Sequence, residues 1–208
     1  AEQGNVLAQM SLGYLYYADK KVGIDHAASR DWFNKAAGQG DAQAQYAAGW
    51  LHLSNRDDAQ STTNALALFN DAAAQGHLEA SRMVSVTTRA VDGDAIAQYE
   101  LGRKYEEGRE VPKSPQNAMA WYAKSAEQGY VEGQFRLGMM TRYRTGDVPQ
   151  DITASSAWLQ VAADKGHVEA GAELAKLMAE IQRKEDQETD AFINAIEEMV
   201  RTIKNRDK

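Results

Sequence analysis

The chain has no cysteine among its 208 residues. Disulfides, thiolate nucleophiles and cysteine zinc sites are therefore excluded, while the compartment stays open, because a cysteine-free chain suits cytoplasm and periplasm alike. Basic charge is scarce: 23 Lys and Arg stand against 30 Asp and Glu, a net charge of −7. A nucleic-acid partner needs a basic face to displace its counterions, and an acidic membrane surface is disfavoured for the same reason. No apolar run approaches the roughly 20 residues of a membrane-spanning helix. No glycine-rich phosphate loop, H-E-x-x-H helix or G-x-S-x-G elbow is present. The four histidines, His26, His52, His77 and His167, are scattered, and the repeat-equivalent pair His77 and His167 cannot converge on one metal. No catalytic residue, metal or cofactor is expected, and the chain reads as a non-enzyme.

What remains is a folded composition, 43% hydrophobic and 25% charged, written in a strict register. Gly40, Gly76, Gly129 and Gly166 each lie eight residues after Trp32, Leu68, Trp121 and Trp158. Seven residues before each of those stands a helix-capping type: Asp25, Ser61, Ser114 and Asp151. Units run from Gly4 to Gly40, Gly40 to Gly76, Gly93 to Gly129 and Gly129 to Gly166, with period 36 three times and 37 once. A fixed period of this size marks a solenoid or array.

Each unit reads as two helices. Helix A follows the glycine and carries a small residue (Ala8, Ala44, Ala97, Gly133), then a second glycine (Gly13, Gly49, Gly102, Gly138). Glycine inside a helix costs about 1 kcal/mol against alanine, so a recurrent one implies close approach of a neighbouring helix backbone. Helix A is expected to stop at Asp19, Asn55 and Gly108, with Gly146 displaced by an insertion. Helix B starts at the Asp or Ser cap, with Pro115 at a first helical position. It presents a bulky pair (Trp32-Phe33, Leu68-Phe69, Trp121-Tyr122, Trp158-Leu159) followed by small residues, an arrangement suited to stacked hairpins.

These residues resemble the Sel1-like repeat family, relatives of the tetratricopeptide repeat. Ala97-Gln98-Tyr99-Glu100-Leu101-Gly102-Arg103-Lys104-Tyr105 fits the family's A-Q-x-x-L-G-x-x-Y run, and Val111 with Ala118 through Trp121-Tyr122 to Gly129 fits the remainder. The resemblance spans about residues 1–182. It implies an all-α, right-handed α-solenoid of helix-turn-helix repeats, used for protein–protein contact, mostly in bacteria.

Two stretches depart from the pattern. Gly93 follows Gly76 at a spacing of only 17; the stretch opens like helix A, closes like helix B, and reads as one helix over about 78–91, where the array is expected to bend or shift, or simply to make a compact joint. After the last helix A, residues 182–190 are wholly polar, and Phe192, Ile193, Ile196, Met199, Val200 and Ile203 then form an amphipathic helix. That helix is read as a cap on the solenoid's end, with self-association through 190–205 or a partner contact as the other roles. The expected organisation is thus 1–76, two full units; 77–92, a single-helix unit; 93–182, two units and a final helix A; and 183–208, a polar linker and C-terminal helix. Because Ala1-Glu2-Gln3-Gly4 matches Ala126-Glu127-Gln128-Gly129, the sequence is expected to begin inside a repeat of a longer bacterial protein, periplasmic, secreted or cytoplasmic.

The tetratricopeptide resemblance puts helix A on the inner wall. The inward rows are then Leu7, Met10, Tyr14 and Tyr17; Gln43, Tyr46, Trp50 and Leu53; Ile96, Tyr99, Arg103 and Glu106; Glu132, Phe135, Met139 and Arg142. Tyr46, Tyr99 and Phe135 recur at one register, as packing residues do. Tyr14, Trp50, Arg103 and Met139 vary at one register, as binding residues do. The candidate partner-binding set is Tyr14, Tyr17, Trp50, Leu53, Arg103, Glu106, Met139 and Arg142. It suggests a groove with an aromatic N-terminal half and a mixed-charge C-terminal half, receiving an extended peptide or a helix. A carbohydrate-binding module, for peptidoglycan or exopolysaccharide, is the alternative use of the same aromatics.

Overall fold

The computed structural model describes residues 4–18, 23–54, 59–109, 111–143 and 148–206. The Ala1–Gln3 match and the helix stops expected at Asp19, Asn55 and Gly146 lie outside the described residues. Ten helices follow one another, with no strand among the described residues: α1 (Val6–Ala18), α2 (His26–Ala37), α3 (Ala42–Leu53), α4 (Ala59–Ala74), α5 (Leu78–Val91), α6 (Ala95–Glu107), α7 (Pro115–Glu127), α8 (Val131–Arg142), α9 (Ile152–Asp164) and α10 (Val168–Arg206). Each packs chiefly on the next in sequence, the nearest-neighbour architecture of an α-solenoid.

The helix ends follow local chemistry. Asp25 accepts hydrogen bonds from the Ala27 and Ala28 amides, Ser114 from Asn117 and Asp151 from Ala154, each satisfying first-turn amides that the helix itself leaves unpaired. The B helices end in a tight reversal. The Gly76 amide bonds Ala73 O and the His77 amide bonds Ala72 O, a pairing that requires the left-handed backbone of Gly76, φ 88°.

At Gly13, Gly49 and Gly102 the recurrent helix A glycine faces a side chain, not the backbone the sequence suggested, whereas at Gly138 the Leu159 backbone nitrogen also comes within 3.2 Å of where a methyl group would stand. A methyl group on Gly49 would meet Phe69 Cε1 at 2.5 Å, and one on Gly102 would meet Tyr122 at 2.7 Å. Gly13 does the same for Phe33, and at Gly138 the smaller Leu159 occupies the notch. So the second member of each bulky pair on helix B enters a slot left open in helix A. Phe33, Phe69, Tyr122 and Leu159 are completely buried there. A polar clamp crosses each of the first three full units as well: Gln39, Gln75 and Gln128 donate their side-chain amides to Gln9, Gln45 and Gln98, at 2.7, 2.7 and 2.6 Å.

Helix α5 serves both layers. Its start is that of an A helix: His77 Nδ1 accepts the Ala80 amide and the ring stacks on Tyr46 at 4.6 Å, as His167 Nδ1 accepts the Ala170 amide and stacks on Phe135 at 4.3 Å. Its end is that of a B helix: Ala90 O receives the Gln98 side chain, as Ala126 O of α7 receives Gln134. At the other extremity, α10 runs unbroken from Val168 to Arg206. The polar stretch at 183–190, expected as a linker, continues that helix because it holds neither Gly nor Pro.

Gly49→Ala is expected to destabilise the array by about 1–3 kcal/mol, overpacking outweighing the gain in helix propensity. Chemical denaturation is the measurement, and pairing the change with Phe69→Leu should recover part of the loss.

Candidate partner-binding trough

Helices α1, α3 and α5 line one side of an open trough of about 490 Å³, and Gly108, Val111 and Pro112 of the α6–α7 connection form the other. Tyr14, Gln43, Tyr46, Trp50, His77 and Glu79 contribute from the helices. The connection is shaped locally. Gly108 ends α6 in the left-handed conformation, φ 74°, and Val111 is buried in the same core as Trp50, Leu53 and Tyr105. Just beyond it, Lys113, Ser114, Gln116 and Asn117 border a second depression of about 600 Å³ with Tyr17, His26, Arg30 and Ser54. The return of this connection across the ends of α1 and α3 decides which sequence candidates can meet a partner.

Tyr14 can. Its side chain is 44% exposed, and its ring is held edge-on against Phe33 at 4.9 Å. Trp50 and Leu53, by contrast, are only 5% and 3% exposed. The Trp50 ring spends its edges on Tyr17 at 5.1 Å and Phe33 at 5.7 Å. Tyr17 is half-buried and borders the second depression; burial raises the pKa of its hydroxyl.

The C-terminal candidates lie elsewhere. Arg103 is exposed and paired with Glu107 at 2.8 Å, bordering a depression of about 260 Å³ with Glu100, Lys104 and Arg109. Glu106 accepts the Tyr122 hydroxyl hydrogen bond. Met139 is half-buried against the core of Phe135, Leu159 and Leu177. Arg142 is 2% exposed, donating to Glu173 at 2.7 Å and Glu180 at 2.9 Å, and so fixes α10 rather than facing a groove. The structure places Tyr14 and Arg103 in separate depressions, in contrast to the continuous groove the sequence suggested.

The residues that reasoning from sequence missed are His77, Glu79, Val111 and Pro112, while Gln43 stood in an inward row but not in the candidate set. For His77 the signal was its recurrence as His167. Because its Nδ1 accepts the Ala80 amide, its Nε2 carries the proton and donates to Gln43 Oε1 at 3.1 Å. That bond presents the Gln43 amide in a fixed orientation at the trough floor. Among the described residues no set of three metal-ligating side chains converges, and no helix is long and apolar enough to cross a membrane.

A family model, the Sel1 repeat, matches residues 6–41, 42–77, 95–130 and 131–167. The chain belongs to the Sel1 repeat family. The interval between the second and third matches holds α5, the helix that serves both layers. Sel1 repeat proteins serve in general as protein–protein interaction scaffolds, and the family is typically non-enzymatic.

Among solved structures, a protective antigen of uropathogenic Escherichia coli displaying an SLR fold is 27% identical, with 85% of this chain and 42% of that one covered and a TM-score of 0.45. A Sel1 repeat protein from Oxalobacter formigenes is 32% identical, with 85% and 57% covered and a TM-score of 0.42. Among curated proteins, an F-box protein of Arabidopsis thaliana is 39% identical over 62 residues, 29% of this chain and 17% of that protein. The chain thus spans less than two thirds of each of these relatives.

Two buried tyrosines of α6 and α7 make the stability of the fold sensitive to alkaline pH. Burial pushes the Tyr105 hydroxyl well above the usual phenol range; it lies near Ser54, whose own hydroxyl already donates to Trp50 O. Burial does the same to Tyr122, reinforced by its bond to Glu106 and that carboxylate's charge. A raised phenol pKa gives stability that is fully present below the unfolded value of about 10 and is lost as pH rises from there through the folded value. The thermal midpoint should therefore fall progressively above about pH 10. Tyr105→Phe should flatten that fall while changing stability at neutral pH by no more than about 1 kcal/mol, measured by thermal melts across the alkaline range.

Proposed function

We propose that this Sel1 repeat chain is a non-enzymatic scaffold that binds an extended peptide segment of a protein partner in the trough between α1, α3, α5 and the α6–α7 connection. The observation that carries this reading is Tyr14: a large aromatic, half in solvent, whose ring is already immobilised by Phe33. An aromatic fixed before binding loses little entropy on contact, which is how hot-spot residues act. Around it the lining alternates in character. Pro112 and Val111 give an apolar wall, while Gln43 and Glu79 supply an amide and a carboxylate. That set suits a segment with one apolar side chain beside a backbone amide and a basic side chain. The trough is open along its length, which fits an extended chain better than an enclosed small molecule. Arg103, with Glu107 and Arg109 beside it, offers a separate charged contact for a longer partner.

Selection of a random displayed-peptide library against the purified chain tests this. Enriched peptides should bind with Tyr14→Ala weakening them by about tenfold or more and Glu79→Lys discriminating against basic ones, as read by fluorescence polarisation. Equal affinity of both variants and parent would place the peptide site elsewhere. Recovery of peptidoglycan or exopolysaccharide fragments on a glycan array, with no peptide enriched, would replace the reading with carbohydrate binding.

A further inference from the structure

Helix α10 is 39 residues long, and its first part is packed. Ala170 and Leu177 are buried against α9, Leu174 and Ile181 partly so, and Arg142 anchors Glu173 and Glu180. From Gln182 to Thr189 every side chain is exposed, yet the backbone stays helical to Arg206. That outer part, 182–206, extends about 37 Å at 1.5 Å per residue. In proteins most helical stability comes from packing an amphipathic face.

Two features of its sequence say what the partner is. Phe192, Ile196, Met199 and Ile203 fall at spacings of four, three and four, the alternation of a two-helix seam. Ile196, a member of that seam, is 45% exposed. The charges are also sorted along the helix. Before the seam Glu185, Asp186, Glu188 and Asp190 outweigh Arg183 and Lys184, Glu197 and Glu198 lie within it, and Arg201, Lys204, Arg206 and Lys208 outweigh Asp207 at its far end, so the net charge runs from negative to positive. Two such helices side by side and parallel would set acid against acid and base against base. Turned antiparallel, Phe192 faces Ile203 of the other copy and Ile196 faces Met199, and Glu188 and Asp190 come level with the other's Lys204 and Arg206, while Glu197 and Glu198 meet at the centre.

We propose that the outer part of α10 pairs antiparallel with the same helix of a second copy of this chain, through the seam of Phe192, Ile196, Met199 and Ile203. The pairing is independent of the trough, which stands on α1, α3 and α5. It makes the scaffold two-headed, with a peptide-binding array at each end of a shared helical bridge.

Sedimentation velocity of the full chain over a dilution series tests the pairing. A dimer that dissociates on dilution is expected. Ile196→Glu should be monomeric at concentrations where the parent is dimeric, with unchanged far-ultraviolet helicity of the array. Lys204→Glu/Arg206→Glu keeps the seam and should also lose the dimer, while a mixture with Glu188→Lys/Asp190→Lys should regain it. Orientation is read by exploiting the absence of cysteine: a spin label on Glu185→Cys should report a separation of roughly 35–40 Å between copies, against about 10 Å for a parallel pair. A parent chain that stays monomeric at all concentrations would overturn the proposal, as would the short label distance.

Discussion

The fold depends on a ring entering a notch. In each full unit, helix A leaves out one side chain, at Gly13, Gly49, Gly102 or Gly138, and helix B fills the gap with Phe33, Phe69, Tyr122 or Leu159. Full burial of such a side chain contributes roughly 2–3 kcal/mol, against about 1 kcal/mol for the helical glycine, so the exchange favours the hairpin. It also fixes how far the two helices stand apart. At that separation the Ser29 and Ser155 hydroxyls reach the carbonyls of Gly13 and Gly138, and the glutamine clamps close at ordinary hydrogen-bond lengths. A unit without the notch would have wider-spaced helices and neither set of polar bonds.

Much of this was legible because it repeats. The period, three of the four capping residues, the helix-ending glycines and the single helix at 78–91 follow from residue types at fixed intervals, and the structure places elements there; Ser61 is the exception, lying inside α4, which already begins at Ala59. The partner of the internal glycine was less legible. A glycine shows that something comes close, not what it is, and the Trp at the first place of three of the four bulky pairs drew attention from its neighbour. In the structure Trp32 and Trp158 are only half-buried, with Lys35 lying over Trp32 at 4.1 Å, while the second residue of each pair fills the core. Val111 was matched to the repeat pattern on sequence, but its position as a trough wall was not.

The binding candidates show where local periodicity runs out. Variation of Tyr14, Trp50, Arg103 and Met139 at one register was read as adaptation to a partner. For Trp50 the cause lies within the chain: Tyr17 and Phe33 take its ring edges, and the α6–α7 connection returns beside it. Arg142 looked like the charged end of a groove, yet it meets two glutamates of α10, 31 and 38 residues further on. Both facts are non-local. They depend on how separate units are set against each other, which a 36-residue repeat does not encode.

The connection between α6 and α7 has a consequence for how the molecule comes apart. A solenoid whose units touch only their neighbours behaves as a line: its ends fray first, and loss spreads inward one unit at a time. Here Tyr105, from the third full unit, lies beside Tyr17 and Ser54 of the first two, and Val111 shares a trough with Tyr14 and Trp50. The N-terminal hairpin is therefore not a free end. Loosening it uncovers side chains some ninety positions away, so the first three units should melt as one cooperative block. Assembly meets the same closure from the other direction, since that packing is complete only when distant parts of the chain have met, and this raises the share of long-range contacts that slow folding. A protein written as a linear repeat is thus tied, over its first three units, by contacts beyond nearest neighbours.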